Sequence, residues 1–190
     1  MSRIDAGRWQ LVALDGVAAT PWRNGGGVTR ELLAWPPEGD WRVRISVADV
    51  ERDGPFSSYR GVERWFAVLE GAGVELTLAG CTQRLARDGE PFQFSGEAAV
   101  DCRLVDGATR DLNLMAPPGA GRMQRLHEEH LDVVRAGVLV AVYAPVGGLV
   151  TMFEDEDIVV PPRTLAWRLF EHDRALAFEG ALALWMEVRL

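Results

Sequence analysis

Short apolar runs alternate with turn residues along the whole chain, and no part of it carries the 3.6-residue apolar spacing of a sustained amphipathic helix. The 20 glycines and 10 prolines punctuate these runs. Spacings of about 8–12 residues between such runs are typical of a β-sandwich or a β-barrel. The pattern therefore predicts an all-β protein with strands at residues 8–14, 28–35, 41–50, 64–69, 74–78, 91–94, 100–105, 111–115, 132–136, 138–143, 149–153, 164–170, 176–178 and 182–188.

The most loop-like stretch covers residues 116–130 (APPGAGRMQRLHEEH) and separates a larger first set of strands from a smaller second set. We expect two β units, residues 1–115 and residues 116–190, with the second packed on the first. No sequence repeat relates the two sets, so the strand count alone supports a duplication. Glycine and proline argue against a long helix in this stretch, although residues 119–130 have room for one helical turn.

Composition and charge narrow the classes of function. The 20 basic residues are all arginine, and with 28 acidic residues they give a net charge of −8. The absence of lysine excludes Schiff-base chemistry, attachment of pyridoxal phosphate and a P-loop lysine. The acidic balance disfavours nucleic acid as a partner, because phosphate binding needs a basic face.

The lack of targeting signals and the small number of cysteines favour a cytoplasmic protein. No apolar run is long enough for a signal-peptide core or for the roughly 20 apolar residues of a membrane span. Cys81 and Cys102 are too few for a disulfide framework and are interpreted as buried thiols, with a single bridge between them as the alternative. We therefore expect a cytoplasmic protein that does not bind membranes.

The most unusual stretch is PWRNGGGVTRE at residues 21–31, where three consecutive glycines follow Asn24. One interpretation is a mobile hairpin turn, since Asn-Gly often marks hairpins. The other is a backbone that must approach a neighbour closely or present its N–H groups to an anion. The missing lysine and the missing GxGxxG exclude a P-loop and a dinucleotide fingerprint.

Polar residues alternate with apolar ones in the predicted strand 41–50. Period two places Arg42, Arg44, Ser46 and Ala48 on one face of this strand. If that face meets solvent, the arginines are ordinary surface charges. If it lines a barrel lumen, Arg44 and Ser46 form a donor set that suits a carboxylate.

Asparagine is rare, because the chain contains only Asn24 and Asn113. Asn113 stands between Leu112 and Leu114, so its side chain faces away from theirs. It is either a solvent-facing strand residue or an amide that points into a pocket.

Histidine and acidic residues give no strong sign of metal binding or covalent catalysis. The three histidines are His127, His130 and His172. The HxxH spacing is weak evidence in a loop-like segment, and surface histidines are the better interpretation. No GxSxG elbow or Cys/His arrangement is present. We therefore predict no metal site, no cofactor and no catalytic residue.

These motifs, taken in order, resemble the HutD/Ves family. That family carries Trp-Lys/Arg-Asn-Gly-Gly-Gly-x-Thr-x-Glu, Arg-x-Ser-x-Ala-x-Val, Asp-Gly-Pro-Phe-Ser, Val-Leu-Glu-Gly and Asp-x-Asn-x-Met. The matching stretches are residues 22–31, 44–50, 53–57, 68–71 and 111–115. The resemblance is specific over residues 8 to 115 and general beyond them. Val43 stands where the family usually has tryptophan, and Tyr59-Arg60-Gly61 replaces Phe-Pro-Gly; neither change touches the polar set.

The resemblance implies a cupin-like double-stranded β-helix of the jelly-roll type, with two β units fused as a compact bicupin. Cupin enzymes generally hold a metal through histidines and a glutamate on barrel strands. Residues 64–78 contain no histidine. The usual cupin metal site is therefore expected to be absent from the first unit, together with the Lewis acid that it provides.

The resemblance also implies a role in bacterial histidine utilisation. HutD-type members are thought to bind an intermediate such as N-formylglutamate and to moderate the pathway, and Ves-type members are associated with stress responses. The expected partner is a small anionic metabolite, and exposed strand edges allow a homodimer. The expected ligand-binding residues are Arg44, Ser46, Arg64, Asn24, Asn113, Gly25, Gly26 and Gly27. The expected supporting residues are Trp22, Arg23, Thr29, Glu31 and Asp111.

Two other functions remain open. The chain could be a metal-independent cupin enzyme, namely a hydrolase, isomerase or lyase that acts on a small carboxylate. It could also be a structural or protein-interaction module. In that case Arg44, Arg64 and Asn113 would be exposed and would not converge.

Overall fold

The computed structural model of the chain describes residues 7–126, 130–145, 150–153, 158–179 and 182–190. These residues form strands and one short 3-10 turn at Leu14–Gly16, which confirms the all-β prediction. None of the described residues belongs to a helix that could cross a membrane. The strands are β1 (Gln10–Ala13), β2 (Thr20–Pro21), β3 (Gly27–Trp35), β4 (Val43–Val50), β5 (Gly54–Pro55), β6 (Glu63–Glu70), β7 (Val74–Leu78), β8 (Cys81–Leu85), β9 (Phe92–Ser95), β10 (Val100–Leu104), β11 (Thr109–Ala116), β12 (Gly121–Arg125), β13 (His130–Val134), β14 (Val138–Ala144), β15 (Val150–Phe153), β16 (Ile158–Val160), β17 (Thr164–Phe170), β18 (Arg174–Glu179) and β19 (Leu184–Arg189).

Every run predicted as a strand contains one, and β2, β5, β8, β12 and β16 are additional. Four of the five residues of β8 are exposed, so this strand lacks the apolar alternation that would reveal it. The prediction of a loop with a helical turn at residues 119–130 is wrong where β12 lies. Met123 and Arg125 are the buried residues of β12. Because one of these buried positions is an arginine, the sequence of β12 does not show the apolar-polar alternation of a strand.

Residues 17–121 form one compact unit with two sheets. Its larger sheet has the order β2-β3-β4-β11-β6-β9, and its smaller sheet has the order β5-β10-β7-β8. Apolar residues from both sheets pack together, among them Val50, Phe66, Leu76 and Val100. The two sheets therefore face each other across a common core, as a jelly-roll type of barrel requires.

The other unit combines residues 7–16 with the described residues from 122 onward. Its sheets have the orders β1-β17-β14-β19-β12 and β13-β18-β15-β16. Its core is a separate apolar cluster that includes Val140, Leu176, Phe178 and Trp185.

This division differs from the predicted boundary between residues 115 and 116. Strand β1 pairs antiparallel with β17, and Trp9 packs edge-on against Phe170 at 5.9 Å between ring centroids. The start of the chain therefore belongs with its end. The alternation of apolar and polar residues predicts that β1 forms a strand. It does not predict the pairing partner of β1, which lies about 150 positions away in the sequence. The bicupin interpretation of the two units remains a prediction.

Candidate ligand-binding site

The larger sheet of the 17–121 unit presents polar side chains to the interior in regular rows. Strands β3, β4, β11 and β6 are adjacent, and their partners face the same side because side chains alternate with period two. We call the three rows upper, middle and lower. The upper row is Ala34, Arg44, Met115 and Arg64; the middle row is Glu31, Ser46, Asn113 and Phe66; the lower row is Thr29, Ala48, Asp111 and Val68.

Residues of all three rows border a cavity of about 700 Å³. It is lined by Thr20, Trp22, Arg23, Asn24, Thr29, Glu31, Arg44, Ser46, Ala48, Val50, Pro55, Phe56, Ser57, Tyr59, Arg64, Phe66, Asn113 and Met115. Five predicted ligand-binding side chains therefore converge, which agrees with the lumen interpretation of β4. Arg42 precedes β4 and is exposed instead.

Arg64 is the most deeply placed charge of the cavity wall, with only 6% of its surface exposed. Its Nη2 donates a hydrogen bond to Asn113 Oδ1 at 2.7 Å, and its Nη1 donates to the Ser57 carbonyl oxygen at 3.4 Å. Its Nε is buried and has no hydrogen-bond partner among the residues that the structure describes. The guanidinium carbon lies 5.1 Å from the ring centroid of Phe56 and 5.1 Å from that of Phe94. Aromatic faces and one amide thus hold this cation in place.

No carboxylate of the described residues forms an ion pair with Arg64. Burial lowers the pKa of Arg64 to about 10; Tyr59 opposes this change and Arg44 adds to it. The side chain still carries its charge at neutral pH. A buried cation without a counter-ion is costly in a folded protein, so its environment favours an anion from outside the chain.

Arg44 has a counter-ion of its own. Its Nε donates to Glu31 Oε2 at 2.7 Å, and the side chains of Arg44 and Glu31 are 17% and 48% exposed. Arg44 and Arg64 lie in the same row with only Met115 between them, so their backbones are about 10 Å apart. The two arginines of the upper row thus differ: Arg44 pairs with Glu31, whereas Arg64 pairs with no carboxylate of the described residues.

The glycine motif has a structural role at this site. Gly25, Gly26 and Gly27 are not among the lining residues, although Asn24 is. The Gly26 N–H donates to Asn24 Oδ1 at 3.0 Å. Gly25 has a φ of 68°, and a side chain at Gly27 would collide with the carbonyl oxygen of Asp49. The described structure accounts for these glycines by turn geometry and close backbone approach.

Trp22 and Thr29 support the same part of the wall. Trp22 Nε1 donates to Thr29 Oγ1 at 2.7 Å, and the Trp22 ring packs edge-on against Phe56 at 6.4 Å. Both side chains also line the cavity, as does the exposed Arg23. The predicted supporting residues 22, 23, 29 and 31 are therefore part of the wall itself.

Asp111 lies below the cavity in the lower row and is fully buried. Its Oδ2 accepts a hydrogen bond from Thr109 Oγ1 at 2.8 Å, and its Oδ1 has no hydrogen-bond partner in the described part of the chain. Burial raises the pKa of Asp111 to about 8; the Thr109 hydrogen bond opposes this change and the charge of Asp49 adds to it. Asp111 is therefore mostly protonated at neutral pH, and it supports the core beneath Asn113.

Sequence reasoning missed the aromatic wall of the cavity. Phe56 and Tyr59, with Ser57 between them, follow β5 and line the cavity opposite the polar rows. Asp53 fixes the start of this segment, because its Oδ1 accepts the Leu104 N–H at 2.8 Å. The Asp-Gly-Pro-Phe-Ser motif contains part of this wall, but its spacing alone assigned no role to Phe56.

A cupin-type metal does not fit this cavity. Guanidinium groups are donors and cannot ligate a cation, and the inward positions 44 and 64 both carry them. Among the residues that the structure describes, no group of three or more His, Cys, Asp or Glu side chains is placed to hold a metal. His127 and the side chain of His130 lie outside the described part, and His172 is exposed in the other unit.

Comparison with known proteins gives one family. The model of the HutD family matches residues 15–183. An uncharacterised 21.2 kDa protein in the hutC 3' region of Pseudomonas putida is 40% identical over 111 residues, which are 57% of this chain and 58% of that protein. Protein Ves of Cronobacter sakazakii is 38% identical over 95 residues, which are 50% of this chain and 52% of that protein. The chain thus spans about half the length of the curated relatives it matches.

Solved structures agree over nearly the whole chain. HutD from Pseudomonas fluorescens SBW25 superposes with a TM-score of 0.84 at 27% identity, covering 96% of this chain and 100% of that chain. A cupin 2 conserved barrel domain protein from Leptotrichia buccalis superposes with a TM-score of 0.57 at 11% identity, covering 100% of both chains. The second likeness concerns the fold alone, and it supports the predicted cupin-like class.

Proposed function

Because this chain belongs to the HutD family, we propose that it is a regulatory protein of histidine utilisation that binds a small anionic intermediate such as N-formylglutamate. The observation that carries this proposal is Arg64, a buried arginine that faces a cavity and pairs with no carboxylate of the described residues. A carboxylate can accept two parallel N–H bonds from one guanidinium, which makes it the natural ligand for this group.

The size and lining of the cavity support a metabolite of this kind. Its volume of about 700 Å³ lies within the range of small-molecule sites. Asn24, Ser46 and Asn113 offer neutral hydrogen-bonding groups along the wall, and Phe56 and Tyr59 offer apolar surface. An acyl-amino acid has charged, polar and apolar parts, which correspond to the three kinds of group that line the cavity.

A binding panel tests the ligand class. N-formylglutamate and other small carboxylates are titrated against the purified protein by calorimetry and by thermal shift. A ligand at a hundredfold excess over its Kd stabilises the folded state by about 2.7 kcal/mol, so a rise in Tm that saturates is expected. If no carboxylate in the panel changes the Tm at millimolar concentration, the proposal is wrong.

Two variants test the site. Arg64→Met removes the charge and keeps an apolar stem, and we expect it to weaken carboxylate binding at least about 100-fold. Asn113→Asp supplies an internal counter-ion to Arg64, and we expect similar weakening with a raised Tm. Arg103→Met makes the same charge change as Arg64→Met at a side chain that is 75% exposed on β10, and it should bind like the unaltered protein. Wild-type affinity in both Arg64→Met and Asn113→Asp would contradict the assignment.

The regulatory part of the proposal needs a cellular measurement. A strain that lacks the gene is grown on histidine, and the levels of the histidine-degrading enzymes are followed over time. The unaltered gene should restore normal levels, and the Arg64→Met gene should fail to do so while producing folded protein. Full restoration by Arg64→Met would show that ligand binding at this site is not regulatory.

A further inference from the structure

Glu31 has an unusual position for a site that attracts anions. It lies on β3 in the middle row, directly across from Ser46, and it is the single acidic residue among the described residues that line the cavity. The pairing of β3 with β4 shifts by one residue between Glu31 and Leu33. This bulge begins where Glu31 meets the wall, and bulges commonly redirect a side chain beside a binding site.

The two oxygens of Glu31 have different environments. Oε2 accepts a hydrogen bond from Arg44 Nε at 2.7 Å, whereas Oε1 accepts none from any residue in the described part of the chain. The Glu31 side chain is 48% exposed and lines the cavity, so its carboxylate is open to solvent and to a ligand. Arg44 therefore holds the carboxylate in place and leaves one acceptor free.

Charge on the cavity wall is unevenly distributed as a result. Within the described ranges no carboxylate pairs with Arg64 on β6, whereas Glu31 compensates Arg44 on β4. Strands β4 and β11 separate β3 from β6, and Arg64 lies one row above Glu31, so their backbones are about 16 Å apart, with both side chains reaching inward. A small ligand can contact both groups only if its anionic end faces Arg64 and a hydrogen-bond donor faces Glu31.

We propose that Glu31 determines specificity by accepting a hydrogen bond from an N–H group of the ligand, so that the site selects carboxylates that also carry an amide or imidazole N–H. This inference rests on the proposed function, since it assumes that the carboxylate binds at Arg64. The ligand carboxylate pairs with the Arg64 guanidinium, and the ligand N–H donates to Glu31 Oε1. An analogue without the N–H offers Oε1 no donor and places a methyl group or an oxygen electron pair where water or an N–H would otherwise meet the carboxylate, which is unfavourable.

Matched ligand pairs test this selection. The first pair is N-formylglutamate and its N-methyl derivative, in which the amide N–H is replaced. The second pair is imidazole-4-acrylate and 3-(2-furyl)acrylate, in which an oxygen and a C–H group replace the two ring nitrogens and no N–H remains. Calorimetry with the full chain at pH 7.5 should give at least about tenfold tighter binding for the N–H member of each pair, since hydrogen bonds to charged groups are the stronger ones.

Glu31→Gln tests the residue. The glutamine oxygen can still accept the Arg44 hydrogen bond, and its NH₂ group then faces the ligand N–H, donor against donor. We expect the preference within each pair to fall to about twofold or less. Glu70→Gln is the matched control, because Glu70 also pairs with an arginine, Arg110 at 2.9 Å, but does not line the cavity. Its preference should equal that of the unaltered protein, and equal Tm values would verify folding.

The outcomes separate this inference from the proposed function. Carboxylate binding that needs Arg64 but shows no preference within either pair would overturn the inference and leave the proposed function intact. A preference that persists unchanged in Glu31→Gln would also overturn it. The absence of any carboxylate binding to the unaltered protein would overturn both.

Discussion

The two units share an architecture and differ in what fills them. Each consists of two facing antiparallel sheets. The unit that contains β14 is packed with apolar side chains, with Trp185, Phe178 and Leu176 at 0% exposure. The 17–121 unit places Arg64, Asp111, Asn113 and Ser46 inside and keeps a cavity of about 700 Å³. The fold therefore permits a site, and the inward side chains of one sheet determine whether it exists.

The central strands show the origin of this difference. Strand β14 has the sequence VLVAVYA and is buried at every position, so both of its faces favour packing. Strand β4 has the sequence VRISVADV. Its inner face carries Arg44, Ser46, Ala48 and Val50, which alternate with the residues of the opposite face. Polar or small inner residues cannot fill a barrel to normal core density, and the remaining space is the cavity.

The largest expected effect is loss of stability from the filled core. Trp185→Ala removes a fully buried ring whose centroid lies 4.4 Å from that of Phe178. Large-to-small changes of this kind cost about 3–5 kcal/mol, which urea unfolding followed by circular dichroism would measure. The carboxylate Kd of the folded protein should not change. Trp41→Ala is the control, because Trp41 of the 17–121 unit is only half-buried and its removal should cost less stability. An equal loss of stability in Trp41→Ala would contradict the difference between the two units.

The next effect concerns pH and the polar interior. The raised pKa of Asp111, about 8 against an ordinary 3.8, means that between these values the folded state holds a proton that the unfolded state has released. Stability should therefore fall as the pH rises from about 4 to about 8, with the unfolding equilibrium constant changing up to tenfold per pH unit from this group. Asp111→Asn should remove that contribution, so its stability relative to the unaltered protein increases with pH.

Urea unfolding at several values between pH 5 and pH 8 measures this difference. Asp101→Asn is the matched control, because Asp101 is exposed on β10 and should follow the pH dependence of the unaltered protein. The other described group with a strongly raised pKa in this core is Cys102, at about 12 through burial and the charges of Asp111 and Asp53. Its titration lies above the tested range. Parallel curves for Asp111→Asn and the unaltered protein would show that Asp111 is not held protonated.

The smallest effect distinguishes turn geometry from ligand contact in the glycine motif. Gly25→Ala places a side chain at a φ of 68° and should cost about 1 kcal/mol of stability. Gly26→Ala should cost less, because its new Cβ lies 3.3 Å from Asn24 Oδ1, the end of an exposed side chain. Neither change should alter the carboxylate Kd by more than about twofold, which corresponds to a binding free-energy difference of only RT ln 2. A large loss of affinity in Gly26→Ala with normal stability would indicate that the glycine amides contact the ligand.

Particular residues show how far prediction from sequence extended. The period-two pattern of β4 and the isolated Asn113 of β11 led to side chains that do line the cavity. The glycines at 25–27 were expected there because three glycines can present amides to an anion, and the structure instead uses them for a turn and for a close approach to Asp49. Local pattern reveals an unusual backbone, but which of its possible uses applies depends on the neighbouring strand.

The sequence by itself determined the all-β class, the positions of the main strands, the family motifs and the exclusion of lysine-dependent chemistry, since these depend on residue type and local alternation. Only the tertiary structure decided that β1 joins β17, that Asp111 is protonated beneath the cavity, and that Arg64 is buried beside Asn113 with no counter-ion in the part of the chain that the structure describes. Arg64 and Asn113 are 49 residues apart. Contacts between such distant positions arise from strand pairing and register, which local sequence patterns do not encode.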